Sequence, residues 1–323
     1  MPLLKMKIKI VDANTHLNQA SGYGQVAAAV GAGLNNLGHD VYFEYVTGCN
    51  DSLLDKLAKK KFVHTDDTIY LWIRPPHYIK DQAFDATHKN VFLTMHESTT
   101  FEGWKSDWAM LLNKVGHIIT PTEWNKKVFQ DAGVTVPISV VPLGVNTNIY
   151  YPQVKKGFGI LTVHDNLGSP NSRENWQMTI DAFNELFTGR NAYLTIKSWN
   201  VRTMPKEVEV NENINCISST LFPQDMAKLY QQHQVFVKNS NKEGWSVPLT
   251  EAMACGMSII CYDNPVLREN ARAYPFITWF KTKDQLKFRL DAAYKPWRDE
   301  VKIADTYSWK NSVVMIEQIL KTI

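Results

Sequence analysis

At the start of the chain, polar and apolar residues alternate. In Met6-Lys7-Ile8-Lys9-Ile10-Val11 the lysines fall on one side and the isoleucines on the other, a period of two that predicts a β-strand. The period then lengthens. Gln25–Leu37 is alanine-rich with helical spacing, and Gly38 stands where a helix stops. Short apolar runs predict strands over Val41–Val46, Thr68–Ile73, Asn90–Met95 and His117–Thr120, with helices over Leu53–Lys60, Trp104–Lys114 and Glu123–Ala132 between them. The same grammar restarts further on. Strands are predicted over Gly159–Val163, Ala192–Lys197, Asn213–Ile217, Val235–Lys238 and Ser258–Tyr262, and helices over Asn175–Phe187, Pro223–Gln232 and Pro248–Cys255. Strands separated by helices cannot pair as hairpins, so the pattern predicts parallel sheets covered on both faces. Tyr151-Pro152 and the polar run Gln153–Lys156 interrupt it and mark a linker. The expected fold class is α/β with two domains, 1–152 and 153–323.

Composition narrows the class without naming a function. The 323 residues are 44% hydrophobic and 21% charged, which excludes general disorder and leaves enough apolar surface for two cores. The formal net charge of +3 neither demands nor forbids a nucleic-acid partner. Cys49, Cys216, Cys255 and Cys261 include no Cys-x-x-Cys pair, so reduced thiols and a cytoplasmic location are expected. No apolar run approaches the ~18 residues of a membrane span, and the lysine-studded N-terminus does not resemble a signal peptide. No Asp-x-Asp or His-Glu-x-x-His motif occurs, so no metal site and no cofactor are expected.

Two segments carry candidate chemistry. Ser21-Gly22-Tyr23-Gly24-Gln25-Val26-Ala27 contains a loose G-x-G-x-x-A turn, with Glu44 twenty residues beyond Gly24. That suits a dinucleotide-dependent oxidoreductase or epimerase. The nine residues Ala13 to Ser21 between strand and turn are too many for a loop that hugs a pyrophosphate. The second segment runs Glu243-Gly244-Trp245-Ser246-Val247-Pro248-Leu249-Thr250-Glu251-Ala252-Met253-Ala254-Cys255-Gly256. A strand ends, a polar loop carries Glu243, Gly244 permits close backbone approach, and Pro248 starts a helix with Glu251 in its first turn. A helix start at the C-terminal edge of a parallel sheet suits a diphosphate, and a carboxylate there suits a ribose diol. By spacing alone, favouring the helix dipole is the better account of Glu251.

The seven residues between Glu243 and Glu251, inside this loop–helix segment, resemble the signature of the family 4 retaining glycosyltransferases of GT-B fold. Ser21-Gly22-Tyr23-Gly24 with Leu37-Gly38-His39-Asp40-Val41 resembles that family's first loop, helix and second strand. Ile119-Thr120-Pro121-Thr122-Glu123-Trp124 and Val140-Val141-Pro142-Leu143-Gly144-Val145-Asn146 resemble its approach to the linker, and Tyr307-Ser308-Trp309 its final helix. The resemblance spans nearly the whole chain in order. It implies two Rossmann-like domains facing across a cleft. The first is on the acceptor side and the second binds the nucleotide-sugar. The final helix is a candidate to cross back to the first domain.

By matching positions, the resemblance implies that Glu251 binds the ribose. It sets Glu243 by the donor sugar, lets the amides of Gly244, Trp245 and Ser246 reach that sugar's hydroxyls, and closes the Gly22, Tyr23 and Gly24 loop over the diphosphate. His96 matches the family's histidine near the reacting sugar, so His96 and Glu243 are the catalytic candidates. Glu97, Trp104 and Trp108, around and after His96, are acceptor-side candidates. The implied chemistry is metal-independent transfer of a hexose or similar sugar, with retention, from a UDP- or GDP-sugar type of donor to a hydroxyl on a glycan or small molecule. One departure stands out. The family's arginine after the first strand of the second domain is missing, and Glu174 falls where its lysine is expected. Arg173 and Lys197 are then the candidate phosphate partners, with Lys238 a further possible cation. Lys59-Lys60-Lys61 and Lys126-Lys127 leave open a viral-type transferase acting on modified DNA bases, and the missing arginine leaves open a catalytically inactive GT-B partner protein.

Overall fold

The computed structural model describes residues 5–12, 21–44, 52–76, 89–97, 108–153, 157–166, 174–200, 211–294 and 307–323. The chain divides into two compact units, Met1–Gly144 with Tyr307–Ile323, and Val145–Thr306. The linker read at Gln153–Lys156 therefore falls within the second unit's range. The chain just before it is already tied there: the Tyr150 ring packs edge-on against Tyr230, and Gln231 Nε2 donates to the Tyr151 carbonyl at 3.0 Å.

In the first unit the strands are β1 (Lys7–Asp12), β2 (Asp40–Phe43), β3 (Ile69–Ile73), β4 (Lys89–Leu93), β5 (His117–Thr120) and β6 (Ile138–Val140). They form one parallel sheet in the order β2-β1-β3-β4-β5-β6. The alternation in β1 divides the sheet's two faces. Ile8 and Ile10 are fully buried, while Lys7 and Lys9 lie over the rings of Tyr42, Phe62 and Tyr70, with ammonium-to-centroid distances of 5.0 to 5.9 Å. Their methylene stems cover apolar surface while the charge gains a cation–π contact. The helices are α1 (Gly22–Asn36), α2 (Ser52–Ala58), α3 (Trp108–Leu112) and α4 (Glu123–Asp131). The α1 helix starts three residues earlier than its spacing predicts, because the Ser21 side chain caps it by accepting from Gly24 N. The short strand β6 is not among the elements that the sequence predicts, because three residues carry too little periodicity to mark a strand.

In the second unit the strands are β7 (Phe158–Asn166), β8 (Ala192–Asn200), β9 (Ile214–Ile217), β10 (Val235–Lys238), β11 (Ser258–Tyr262) and β12 (Ile277–Phe280), and the sheet order is β12-β11-β10-β7-β8-β9, again all parallel. The helices are α5 (Trp176–Phe187), α6 (Pro223–Gln231), α7 (Val247–Ala254), α8 (Pro265–Asn270) and α9 (Lys283–Ala293). The chain builds outward from β7 through β8 and β9, then returns to β7's other side with β10. The strand order reverses between β7 and β10, and the C-terminal ends at such a switch point are where open α/β sheets bind ligands.

The last helix, α10 (Trp309–Leu320), packs in the first unit. Val313, Ile316 and Leu320 are buried, and Val313 fills the space left by the missing side chain of Gly33 on α1. Ser312 Oγ donates to the Pro142 carbonyl at 2.6 Å. His39 accepts from Met6 N through Nδ1, so its neutral ring carries the proton on Nε2, which donates to Glu317 Oε1 at 2.9 Å. Lys321 also pairs with Glu317, at 2.7 Å. Chiefly through the Lys321 hydrogen bond, and then through His39, the Glu317 carboxyl is held below its ordinary value of 4.5. A carboxyl depressed in the folded state stabilises fully above its unfolded pKa, and that share is lost as pH falls through the folded value. Acid should therefore loosen α10, and Glu317→Gln should flatten that limb. Urea midpoints at pH 7 and pH 3.5 measure it: equal acid losses in wild type and variant would exclude the role. Among the described residues no helix is long and apolar enough to cross a membrane.

Candidate functional site

Charged side chains cluster at this edge of the second unit's sheet. Lys238 ends β10, a strand whose residues are all buried. Its ammonium lies 2.7 Å from Glu174 Oε1 and 2.6 Å from Glu243 Oε1. The exposures of Glu174, Lys238 and Glu243 are 3%, 3% and 5%. The loops that bring the two carboxylates together are joined through their backbones. Glu174 and Ser240 form an antiparallel bridge, Asn175 N donates to the Asn239 carbonyl at 2.9 Å, and Asn239 Nδ2 returns to the Asn175 carbonyl at 2.7 Å. His164, on β7, places Nδ1 3.5 Å from Glu174 Oε2. Thr162 Oγ1 donates to the Val237 carbonyl at 2.9 Å, so toward His164 Nε2, at 2.8 Å, it acts as acceptor and fixes the ring.

Beyond Glu243 the chain turns into α7. Ser246 is its N-cap, accepting from Leu249 N through Oγ, and Pro248 stands in the first turn, where no amide is needed. The Ser246 amide donates to Asn270 Oδ1 at 3.0 Å, and Asn270 Nδ2 donates to Thr250 Oγ1 at 3.0 Å. Ser246 thus spends its amide and hydroxyl on building the turn. Gly244 and Trp245 are buried in the same loop. The helix starts at Val247, so Glu251 falls in its second turn and not in the first turn as expected; it is 3% exposed, and its Oε2 accepts from the Tyr230 hydroxyl at 2.9 Å. Burial first, and the Glu251 charge second, push the Tyr230 phenol well above its ordinary value, so it stays a donor. Burial likewise raises Tyr150, whose ring lies 6.0 Å from that of Tyr230. Lys197 lies in β8 and is buried; its ammonium donates to the Ser198 carbonyl at 2.8 Å, and burial lowers its pKa. Arg173 lies outside the described residues.

In the first unit, Gly22, Tyr23 and Gly24 form the first turn of α1. The Tyr23 hydroxyl accepts from Met95 N at 3.1 Å and donates to the Met95 carbonyl at 3.2 Å, which draws the glycine turn to the end of β4. His96 follows immediately and is buried. Its amide donates to Asn125 Oδ1 at 2.6 Å, and Asn125 Nδ2 donates to the α4 cap Thr122 at 2.8 Å. The Trp108 ring meets His96 edge-to-face at 5.9 Å and is itself buried, so it supports the histidine instead of offering an open stacking face. Glu97 is exposed. Trp104 lies outside the described residues.

The structure thus joins Tyr23 to the strand end that carries His96, and sets Glu243, Gly244, Trp245, Ser246 and Glu251 along one turn-and-helix segment. Reading the sequence missed Tyr230, Asn125 and Asn270, the residues that orient the candidates. Each is an ordinary helix residue with no motif to mark it. Among the described residues no cluster of three His, Cys, Asp or Glu side chains is placed to hold a metal ion.

Residues 173–302 match the family model of the glycosyl transferases group 1. No curated protein matches the chain. Solved structures with the same fold include a glycosyltransferase from Rickettsia africae, with TM-score 0.69, 12% identity and coverage of 99% of this chain and 98% of that one. The trehalose-6-phosphate synthase OtsA matches with TM-score 0.68, 11% identity and coverage of 98% and 99%. A sucrose-phosphate synthase from Thermosynechococcus elongatus matches with TM-score 0.67, 10% identity and coverage of 98% of each chain. The chain therefore has the GT-B fold of these glycosyltransferases, and its residues 173–302 resemble the glycosyl transferases group 1.

Proposed function

We propose that this protein transfers a hexose or similar sugar from a nucleotide-sugar to a hydroxyl acceptor with retention of configuration and without a metal. The observation that carries the reading is Glu251. It is a buried carboxylate in the second turn of α7, oriented by a fully buried tyrosine and seated within residues 173–302, which match the group 1 model. A carboxylate so held can accept from two neighbouring ribose hydroxyls, and the start of α7 offers partial positive charge to the diphosphate. Glu243 and the loop amides of Gly244 and Trp245 serve the donor sugar. His96, braced by Asn125 and Trp108, serves the reacting centre. Chemistry of this kind needs substrate positioning and stabilisation of the departing diphosphate more than a protein nucleophile. Screening UDP- and GDP-sugars by thermal shift tests it, because a ligand that binds only the folded state raises the melting temperature. A rise with one nucleotide-sugar and its nucleoside diphosphate is expected; no response to any of them would overturn the reading.

Activity should also survive EDTA, because the chain has no Asp-x-Asp pair to hold a metal-bound diphosphate. Loss restored by Mn²⁺ or Mg²⁺ would show that the leaving charge is neutralised by a metal after all.

One observation favours a second reading, a GT-B partner protein without activity. Glu174 stands where the resemblance sets a lysine, and Lys238 is engaged by two carboxylates. Under that reading a nucleotide-sugar binds but is neither transferred nor hydrolysed. Release of nucleoside diphosphate from the bound donor excludes it.

A further inference from the structure

We propose that Lys238 is a positioning residue for the transfer reaction, acting through Glu243, with Glu174 as the counter-charge that holds the ammonium in place. This rests on the glycosyltransferase reading above. Folding alone gives little reason for the arrangement. A strand-end lysine ordinarily extends its charge into water, and buried ion pairs can commonly be replaced by apolar groups without loss of stability. Here one ammonium and two carboxylates are almost fully enclosed at the ligand-binding edge of the sheet.

The backbone around the cluster does not depend on the ammonium. The bridge between Glu174 and Ser240, the paired bonds between Asn175 and Asn239, and the bond from Asn264 Nδ2 to the Asn241 carbonyl at 2.9 Å fix the two loops. The Glu243 side chain is different. Its Oε1 is enclosed and receives no hydrogen bond from the described residues, and the Lys238 ammonium is the charge that faces it at 2.6 Å. Removing the ammonium should therefore leave the loops standing and release the carboxylate, which would turn away from its like-charged neighbour Glu174. Glu243 shares its loop with Gly244 and Trp245, directly before α7, so its orientation sets what the loop presents to the donor sugar.

A double-mutant cycle on Lys238→Met and Glu243→Gln tests this, with kcat and KM measured for the nucleotide-sugar that the thermal screen selects. Lys238→Met should lower kcat by about fifty-fold or more with a smaller change in KM. In the Glu243→Gln background it should cause little further loss, because the group it positions is already neutral. Lys238→Arg, which keeps the charge, should restore part of the rate. If Lys238→Met does not fold, Lys238→Met with Glu174→Met removes the buried pair together. That variant should fold and show the same fall in kcat. Losses that multiply across the cycle, or wild-type kcat in the paired variant, would overturn the positioning role while the glycosyltransferase reading stands. A wild-type protein that binds and turns over no nucleotide-sugar would remove that reading, and the positioning role with it.

Discussion

Glu251→Gln is expected to weaken nucleotide-sugar binding by about ten- to a hundred-fold, or ~1.5–3 kcal/mol, with little change in melting temperature. The substitution keeps the side chain's shape and an oxygen for the Tyr230 hydroxyl, which donates at 2.9 Å and is fully buried. The Tyr230 phenol keeps its acceptor, so the fold should hold. What is lost is the negative charge, and hydrogen bonds from ribose hydroxyls to a neutral amide are weaker. Glu251→Ala would confuse the two effects, because it strands the phenol without an acceptor. Calorimetry on the nucleoside and its diphosphate should show the same fractional loss for both, since both carry the ribose. Unchanged affinity for both would remove Glu251 from the ribose site. Tyr230→Phe provides a second check. It leaves the charge in place but removes one of the groups that orient the carboxylate, so a smaller loss of affinity is expected.

The second large effect is on stability. Gly144→Ala should destabilise the first unit by about 1–3 kcal/mol or more. A Cβ at Gly144 would sit 2.6 Å from Ser308 C and 2.6 Å from Trp309 Cα. These are backbone atoms at the start of α10, and no rotamer change can move them aside. The strain should fall on the docking of the last helix. Its buried face of Val313, Ile316 and Leu320 would lift together with the bonds from Ser312 to Pro142 and from His39 to Glu317. Hydrogen exchange should show faster exchange in α10 and in α1, whose Gly33 packs on Val313, ahead of the second unit. An unchanged melting curve with α10 as protected as in wild type would show that the crossing backbones part at no cost.

The alternating strand and helix grammar was legible because it is local. Lys7-Ile8-Lys9-Ile10 declares a two-sided strand within four residues, and the stretch from Glu243 to Gly256 carries its strand end, loop, capped helix and stop in one continuous piece. Cap chemistry limited the accuracy of the boundaries: Ser21 extends α1 backward through two glycines that read as loop. Strands β6 and β12 and helices α8 and α9 escaped, because short elements and weakly patterned helices leave too few positions to establish a period.

The order of strands within each sheet, and with it the switch point between β7 and β10, was fixed only by folding, since neighbours in a parallel sheet come from distant parts of the chain. The allegiance of the last helix depends on partners as far apart as His39 and Glu317, separated by 278 residues, and on the close passage of Gly144 beneath Trp309. The charge logic of the candidate site was decided in the same way. The sequence names Lys238 as one cation among several, but only the meeting of two loops puts Glu174 and Glu243 on either side of it. Residue type sets what a side chain can do, and local periodicity sets which element it joins. Which partner it meets depends on loop closure and packing across the whole unit, and these leave no trace in the spacing of neighbouring residues.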